Sequence, residues 1–148
     1  MMLLLTSYYL LLFTLLFSSL AECRSYRTLS EDDRADSYKG VTKCDRSLVK
    51  AWYRFTGPAG DKMPDGVVAK NQCGTHAPGY LTGGHPSLGD GVVERKVCFH
   101  WSSSSCKWST NIRVRGCGAF YVYELSPPPV CSLRYCGERG KKQKENLI

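Results

Sequence analysis

The hydrophobic positions of this chain form one long block and several short alternating runs. The block covers residues 3–20, with Thr6, Ser7, Thr14, Ser18 and Ser19 scattered through it. The clearest alternation lies between residues 98 and 136. In residues 111–116, Ile112 and Val114 share one face and Arg113 and Arg115 the other, the two-residue period of a half-buried strand. In the next run Ala119, Tyr121, Tyr123 and Leu125 share a face, and Pro127, Pro128 and Pro129 end it because proline offers no backbone donor. Residues 92–101, entered by an Asp90-Gly91 turn, read as another strand, followed by a polar tip of four serines at 102–105. Residues 52–55 are aromatic-rich and stop at Gly57-Pro58; residues 66–69 read as a weaker strand. From Cys73 to Gly91, glycine or proline at 74, 78, 79, 83, 84, 86, 89 and 91 predicts loop without regular structure. Ser30-Glu31-Asp32-Asp33 predicts a short helical turn with Ser30 as its cap and acids in the first turn.

The apolar block bears on where the chain goes. Ser19 and Ala21 put small residues at the third and first positions before a cut, the pattern of a secretory signal removed after Ala21. An uncut span needs roughly 20 apolar residues, and five polar residues interrupt this one. Residues 1–21 are therefore expected to be a signal peptide. No later stretch is apolar enough to span a bilayer, and the last residues carry no hydrophobic tail for a lipid anchor. The 127 residues from Glu22 onward suit one domain, expected to be secreted, extracellular and monomeric.

All eight cysteines lie in that part: Cys23, Cys44, Cys73, Cys98, Cys106, Cys117, Cys131 and Cys136. An even count in a small exported protein implies a disulfide framework, and the eight-residue step from Cys98 to Cys106 suits a bridge closing a hairpin. No Cys-x-x-Cys or His-x3-His spacing offers a zinc site, so neither metal nor other cofactor is expected. Together these features predict a mainly β fold: a small disulfide-rich extracellular domain with short antiparallel strands and long Gly/Pro loops.

The net charge is +7, and residues 44–136 hold eleven Lys or Arg against six Asp or Glu. The surplus is spread along the chain rather than clustered, which argues against nucleic acid and reads first as a solubilising surface. An acidic glycan or an anionic cell surface is its natural counterpart. His76, His85 and His100 have no spacing that builds a nucleophile, an acid–base pair or a metal site, so no catalytic residues are expected. Trp52, Arg54, Tyr80 and His85 are the candidate binding residues, placed where the 73–91 loop and the 52–55 run would meet an unidentified extracellular protein or glycan. Arg54 also has a structural reading, with its guanidinium stacked on a ring. A second functional reading is a basic defence protein or peptide precursor, since Gly140-Lys141-Lys142 resembles a dibasic cut that leaves a glycine.

Several runs together resemble a known family, the eight-cysteine module of uromodulin-like proteins. They begin at Cys44-Asp45, Trp52-Tyr53-Arg54-Phe55, Gly57 with Ala59-Gly60, and Met63-Pro64. They continue through Cys73-Gly74-Thr75, Ala77-Pro78, Leu81, His85-Pro86, Asp90-Gly91-Val92-Val93, Arg95, and Cys98 with His100-Trp101. Cys106, Cys117, Tyr121-Val122-Tyr123, Leu125, Cys131 and Tyr135-Cys136 complete the set. The resemblance implies a binding or adhesion module over residues 22–136, followed by a basic flexible tail at 137–148. It also implies the pairs Cys23–Cys117, Cys44–Cys131, Cys73–Cys136 and Cys98–Cys106. Family members commonly carry two further cysteines where this chain has Val67 and Ser105, which implies one bridge lost whole, with Val67 filling part of the space. Relatives often carry an Asn-x-Thr acceptor just before the matched His-Pro; here Thr82-Gly83-Gly84 stands there, and no Asn-x-Ser/Thr occurs.

Overall fold

The alternation around residues 92–116 becomes a hairpin longer than its pattern indicated. The computed structural model describes residues 2–18 and 20–140. Strand β4 (Val92–Trp101) and strand β5 (Ser104–Gly116) pair antiparallel from Val92↔Arg115 to Trp101↔Ser104. The expected tip of four serines shrinks to Ser102 and Ser103, because Ser102 takes a left-handed backbone (φ 55°) and turns the chain within two residues.

Five more strands extend this pair into one sheet: β1 (Arg27–Leu29), β2 (Ala51–Phe55), β3 (Ala77–Leu81), β6 (Tyr121–Leu125) and β7 (Leu133–Tyr135), in the order β1-β2-β6-β5-β4-β3-β7. The fold is mainly β. The interior pairings are antiparallel, but β1 joins β2 and β7 joins β3 in parallel. These two edge strands have three residues each, and a long stretch of chain separates each from the strand it joins, so a parallel approach is open to them. The edges curl toward each other: Ala35, past β1, bridges Gly137, past β7.

The inner face holds the core. Tyr53, Phe55, Leu81, Val97, Phe99, Ile112, Val114, Tyr123, Leu125 and Tyr135 are all buried there. Phe55 meets Tyr123 edge-on at 5.5 Å between centroids, and Phe99 meets Tyr135 at 5.7 Å. Each such large side chain contributes on the order of 1.5–3 kcal/mol by leaving water. Four disulfides tie the connections to the sheet: Cys23–Cys117, Cys44–Cys131, Cys73–Cys136 and Cys98–Cys106.

Several expectations are corrected. Residues 77–81 lie inside the expected loop, yet they form β3 with all five residues buried. Pro78 and Gly79 disfavour a strand locally, but Phe99 lies directly over Gly79 and rewards the placement. Residues 66–69 form no strand: only Val68 is buried, against Tyr80 and Cys98, while Val67 is 56% exposed and fills no internal space. The helical turn is a single 3-10 turn, Asp32–Arg34, with Glu31 rather than Ser30 at its start and no side-chain cap bond. Arg34 holds the Glu31 carboxylate at 3.3 Å instead. Ala119 lies outside β6, which begins at Tyr121, and Arg115 is buried rather than facing water. The ordered domain runs past Cys136, because Gly137 N donates to Arg34 O and Glu138 pairs with Lys62. The expected tail beyond Gly140 lies outside the described residues.

The apolar block forms helix α1 (Met2–Ser18), whose described side chains from Leu4 to Thr14 are all exposed. Among the described residues no helix is long and apolar enough to cross a membrane.

Candidate recognition surface

Strand alternation gives the sheet an outer face that is open along the middle of the central hairpin among the described residues, while Val68 covers it at Cys98 and the Glu22 segment at Arg115. Glu94, Lys96, Lys107, Ser109, Asn111 and Arg113 are exposed there. Trp52 on β2 and Glu124 on β6 continue the face. Arg113 ion-pairs with Glu124, and its guanidinium lies 5.4 Å from the centre of the Trp52 ring. Lys50 approaches the same carboxylate at 3.7 Å. The Arg113 hydrogen bond, opposed by partial burial and assisted by Lys50, holds the Glu124 carboxyl below its ordinary range. Lys50, Glu94, Asn111, Arg113 and Glu124 line a shallow depression of about 250 Å³.

Toward the other end of β2 the face is closed by the segment around Cys23–Cys117. Arg54 lies there with its guanidinium 3.7 Å from the Phe120 centroid, and it donates to Tyr26 Oη at 3.0 Å. Arg115 donates to Glu22 at 3.1 Å. Arg54 therefore braces the fold, while Trp52 borders the open part of the face.

Tyr80 and His85 lie elsewhere. Tyr80 is 6% exposed, and its hydroxyl donates to the Ser105 carbonyl (2.8 Å) beneath the Cys98–Cys106 hairpin. His85 packs on the inner side, its ring 4.4 Å from that of Tyr121 and its Nε2 2.8 Å from Tyr123 Oη. Tyr123 Oη also accepts the Met63 N–H at 2.9 Å. Burial first, then Lys62 and Arg95, lower the His85 pKa to about 4 against the opposing pull of Asp65, so the ring is neutral and its Nε2 shares one hydrogen bond with the Tyr123 hydroxyl. Burial pushes the Tyr123 hydroxyl well above its ordinary value. The four candidate residues thus occupy three places, and the sheet separates the His85 segment from Trp52.

A cleft of about 840 Å³ was not foreseen from the sequence. Asp36, Lys62, Asp65, Val67 and Glu138 border it, with Lys62 3.2 Å from Glu138 and 3.6 Å from Asp65. Its walls come from three separated segments, so only the Lys62–Asp65 spacing left a trace in the sequence. Among the described residues no group of three or more His, Cys, Asp or Glu is placed to hold a metal, and every cysteine is in a disulfide.

Residues 53–137 match the family model described as a uromodulin-like domain. Uromodulin of Mus musculus is 46% identical over 115 residues, covering 77% of this chain and 18% of the relative. Uromodulin of Rattus norvegicus is 47% identical over 115 residues, with the same two shares, 77% and 18%. The pancreatic secretory granule membrane major glycoprotein GP2 of Canis lupus familiaris is 43% identical over 116 residues, covering 77% of this chain and 23% of the relative. The chain therefore spans about a fifth of the length of the curated relatives it matches.

Proposed function

The chain belongs to the uromodulin-like domain family, and from that premise we propose that it is an exported, non-enzymatic recognition or adhesion module that meets an extracellular protein or glycan. The observation that carries this reading is the open middle of the outer face of β4 and β5. It is a row of exposed polar side chains in which Lys96 and Lys107 stand beside Glu94, while Arg113 is paired with Glu124 of the neighbouring strand. Such a face, held by a disulfide-linked sheet, binds without needing to reorganise. Export follows from residues 1–21 as a signal peptide, and the exposed side chains of α1 support it, since the core is complete without them.

The test uses the full chain expressed through the secretory route. Intact mass of the secreted protein is expected to begin at Glu22 and to carry four disulfides. Labelled protein is then applied to intact cells and extracellular matrix. The pair Lys96→Glu with Lys107→Glu is expected to leave stability within about 0.5 kcal/mol and to abolish surface binding. Retention in the cytosol with reduced thiols, or binding that ignores the charge reversal, would overturn the reading.

A further inference from the structure

We propose that the far end of the β4–β5 hairpin carries a slot for one neutral hexopyranose ring, formed by Trp101, Trp108, His76 and Ser132. This rests on the recognition reading and names one partner class within it.

The hairpin outruns its neighbour: β3 pairs with β4 only at residues 97–99, whereas the hairpin continues to Trp101↔Ser104. Trp108 lies directly across from Phe99, and Trp101 follows Phe99 by two residues, across a shift in the register of the ladder, and packs against the same core. Both indoles therefore pack against the core on one side and stay half-exposed on the other. With His76, whose ring lies 5.6 Å from that of Trp101, they line a slot of about 180 Å³. Leu133 is part of its wall and is buried.

Three features select the ligand. Aromatic faces match the C–H face of a pyranose, and the two indole N–H groups, the His76 ring and the Ser132 hydroxyl have no hydrogen-bond partner among the described residues. No Lys, Arg, Asp or Glu lines the slot, which disfavours uronate or sulfate and leaves a cation without a carboxylate there. The volume lies below the roughly 300 Å³ at which sites for drug-sized ligands begin, so one ring fits and an extended chain does not. The wall is held in place: Thr75 Oγ1 donates to the Ser132 carbonyl at 2.9 Å, Ala77 N at 3.2 Å, and Cys131 is tied to Cys44.

Nuclear magnetic resonance of the secreted protein tests this, because three tryptophans give three indole N–H signals, assigned with single Trp→Phe variants. The probes are the methyl glycosides of glucose, galactose, mannose and N-acetylglucosamine, with methyl glucuronate as the charged control. At least one neutral glycoside is expected to shift the Trp101 and Trp108 signals saturably in the millimolar range, leaving Trp52 unmoved. His76→Ala and Ser132→Ala are each expected to weaken that binding roughly three- to tenfold with unchanged melting. Absence of a saturable shift with every neutral glycoside, equal movement of Trp52, or variants that bind like the parent would overturn the slot. If surface binding through Lys96 and Lys107 persists while the slot is silent, the slot alone falls; if both are absent, the recognition reading falls with it.

Discussion

Arg34 and Asp45 together stand in for a missing strand at the edge of the sheet. Arg34 Nη1 donates to Asp45 Oδ2 at 2.8 Å and Nη2 to Oδ1 at 3.0 Å, with both side chains buried. The same pair takes up the backbone of Tyr135 on edge strand β7: its N–H donates to Asp45 Oδ2 (2.8 Å) and its carbonyl accepts from Arg34 Nη1 (2.9 Å). An open edge is thereby closed to other chains. Arg134, on β7 itself, adds a buried contact to Asp33 at 2.8 Å, and Lys43 pairs with the same side chain.

Removing the guanidinium leaves Asp45 buried without its main counter-charge. Arg34→Met is expected to cost about 3–5 kcal/mol, read from chemical denaturation of the secreted protein. Arg34→Lys keeps the charge but loses the two-pronged geometry, so it should fall between the two. Parent-like stability for Arg34→Met would show that the pair adds nothing to the fold.

His85 makes stability fall on mild acidification. The unfolded ring takes a proton near its ordinary pKa of 6.5, whereas the folded ring resists until about 4. Between those values the unfolded state binds more protons, so stability rises with pH across the window and is lost as pH falls through it. His85→Gln, which still offers Tyr123 a hydrogen-bond partner, is expected to flatten denaturation midpoints between pH 6.5 and 4. Below that range the parent should weaken further as Asp33 and Glu31 protonate. Burial opposes the charge on each, but Lys43 and Arg134 at Asp33, and Arg34 at Glu31, outweigh it and hold both carboxyls below their ordinary values.

Gly79 is needed for contact rather than for flexibility. A Cβ there would stand 2.7 Å from Phe99 Cε1 and 3.1 Å from the Arg134 carbonyl. Gly79→Ala therefore overpacks the join between β3, β4 and β7 and is expected to cost about 1–3 kcal/mol. Secretion yield and thermal midpoint measure it. Gly66→Ala, at a position with open space, is the control and should be near neutral.

The four disulfides are not equal in effect. Cys98 and Cys106 are 8 residues apart, whereas Cys23 and Cys117 are 94 apart. In the chain-entropy description the short loop contributes roughly 2.5 kcal/mol and the long one about 4.7. Paired Cys→Ser replacement at 98 and 106 should lower the thermal midpoint less than the same change at 23 and 117. The reverse order would show that the hairpin bridge acts through local packing near Tyr80 rather than through the unfolded chain.

Strands whose side chains alternate are legible in the residues alone. β2, β4, β5 and β6 turn most of their large apolar side chains to one face, and that two-residue period is written locally. The even cysteine count determined a crosslinked domain, and alternation at residues 52–55 already put Trp52 and Tyr53 on opposite faces. β1, β3 and β7 exist because of their partners in the sheet. Arg27-Thr28-Leu29 and Leu133-Arg134-Tyr135 are too short and mixed to carry a period; they are strands because β2 and β3 offer them partners. Arg134 reads as a surface cation and is buried because Asp33 waits for it across the fold. The same holds for the sites. His85 and Trp52 lie on opposite sides of the sheet, and His76 meets Trp101 from 25 residues away, because a loop's path depends on the surface beneath it and not on its own residues. Periodicity records which face of a segment is buried; which segments share a surface is decided by long-range packing that no local pattern encodes.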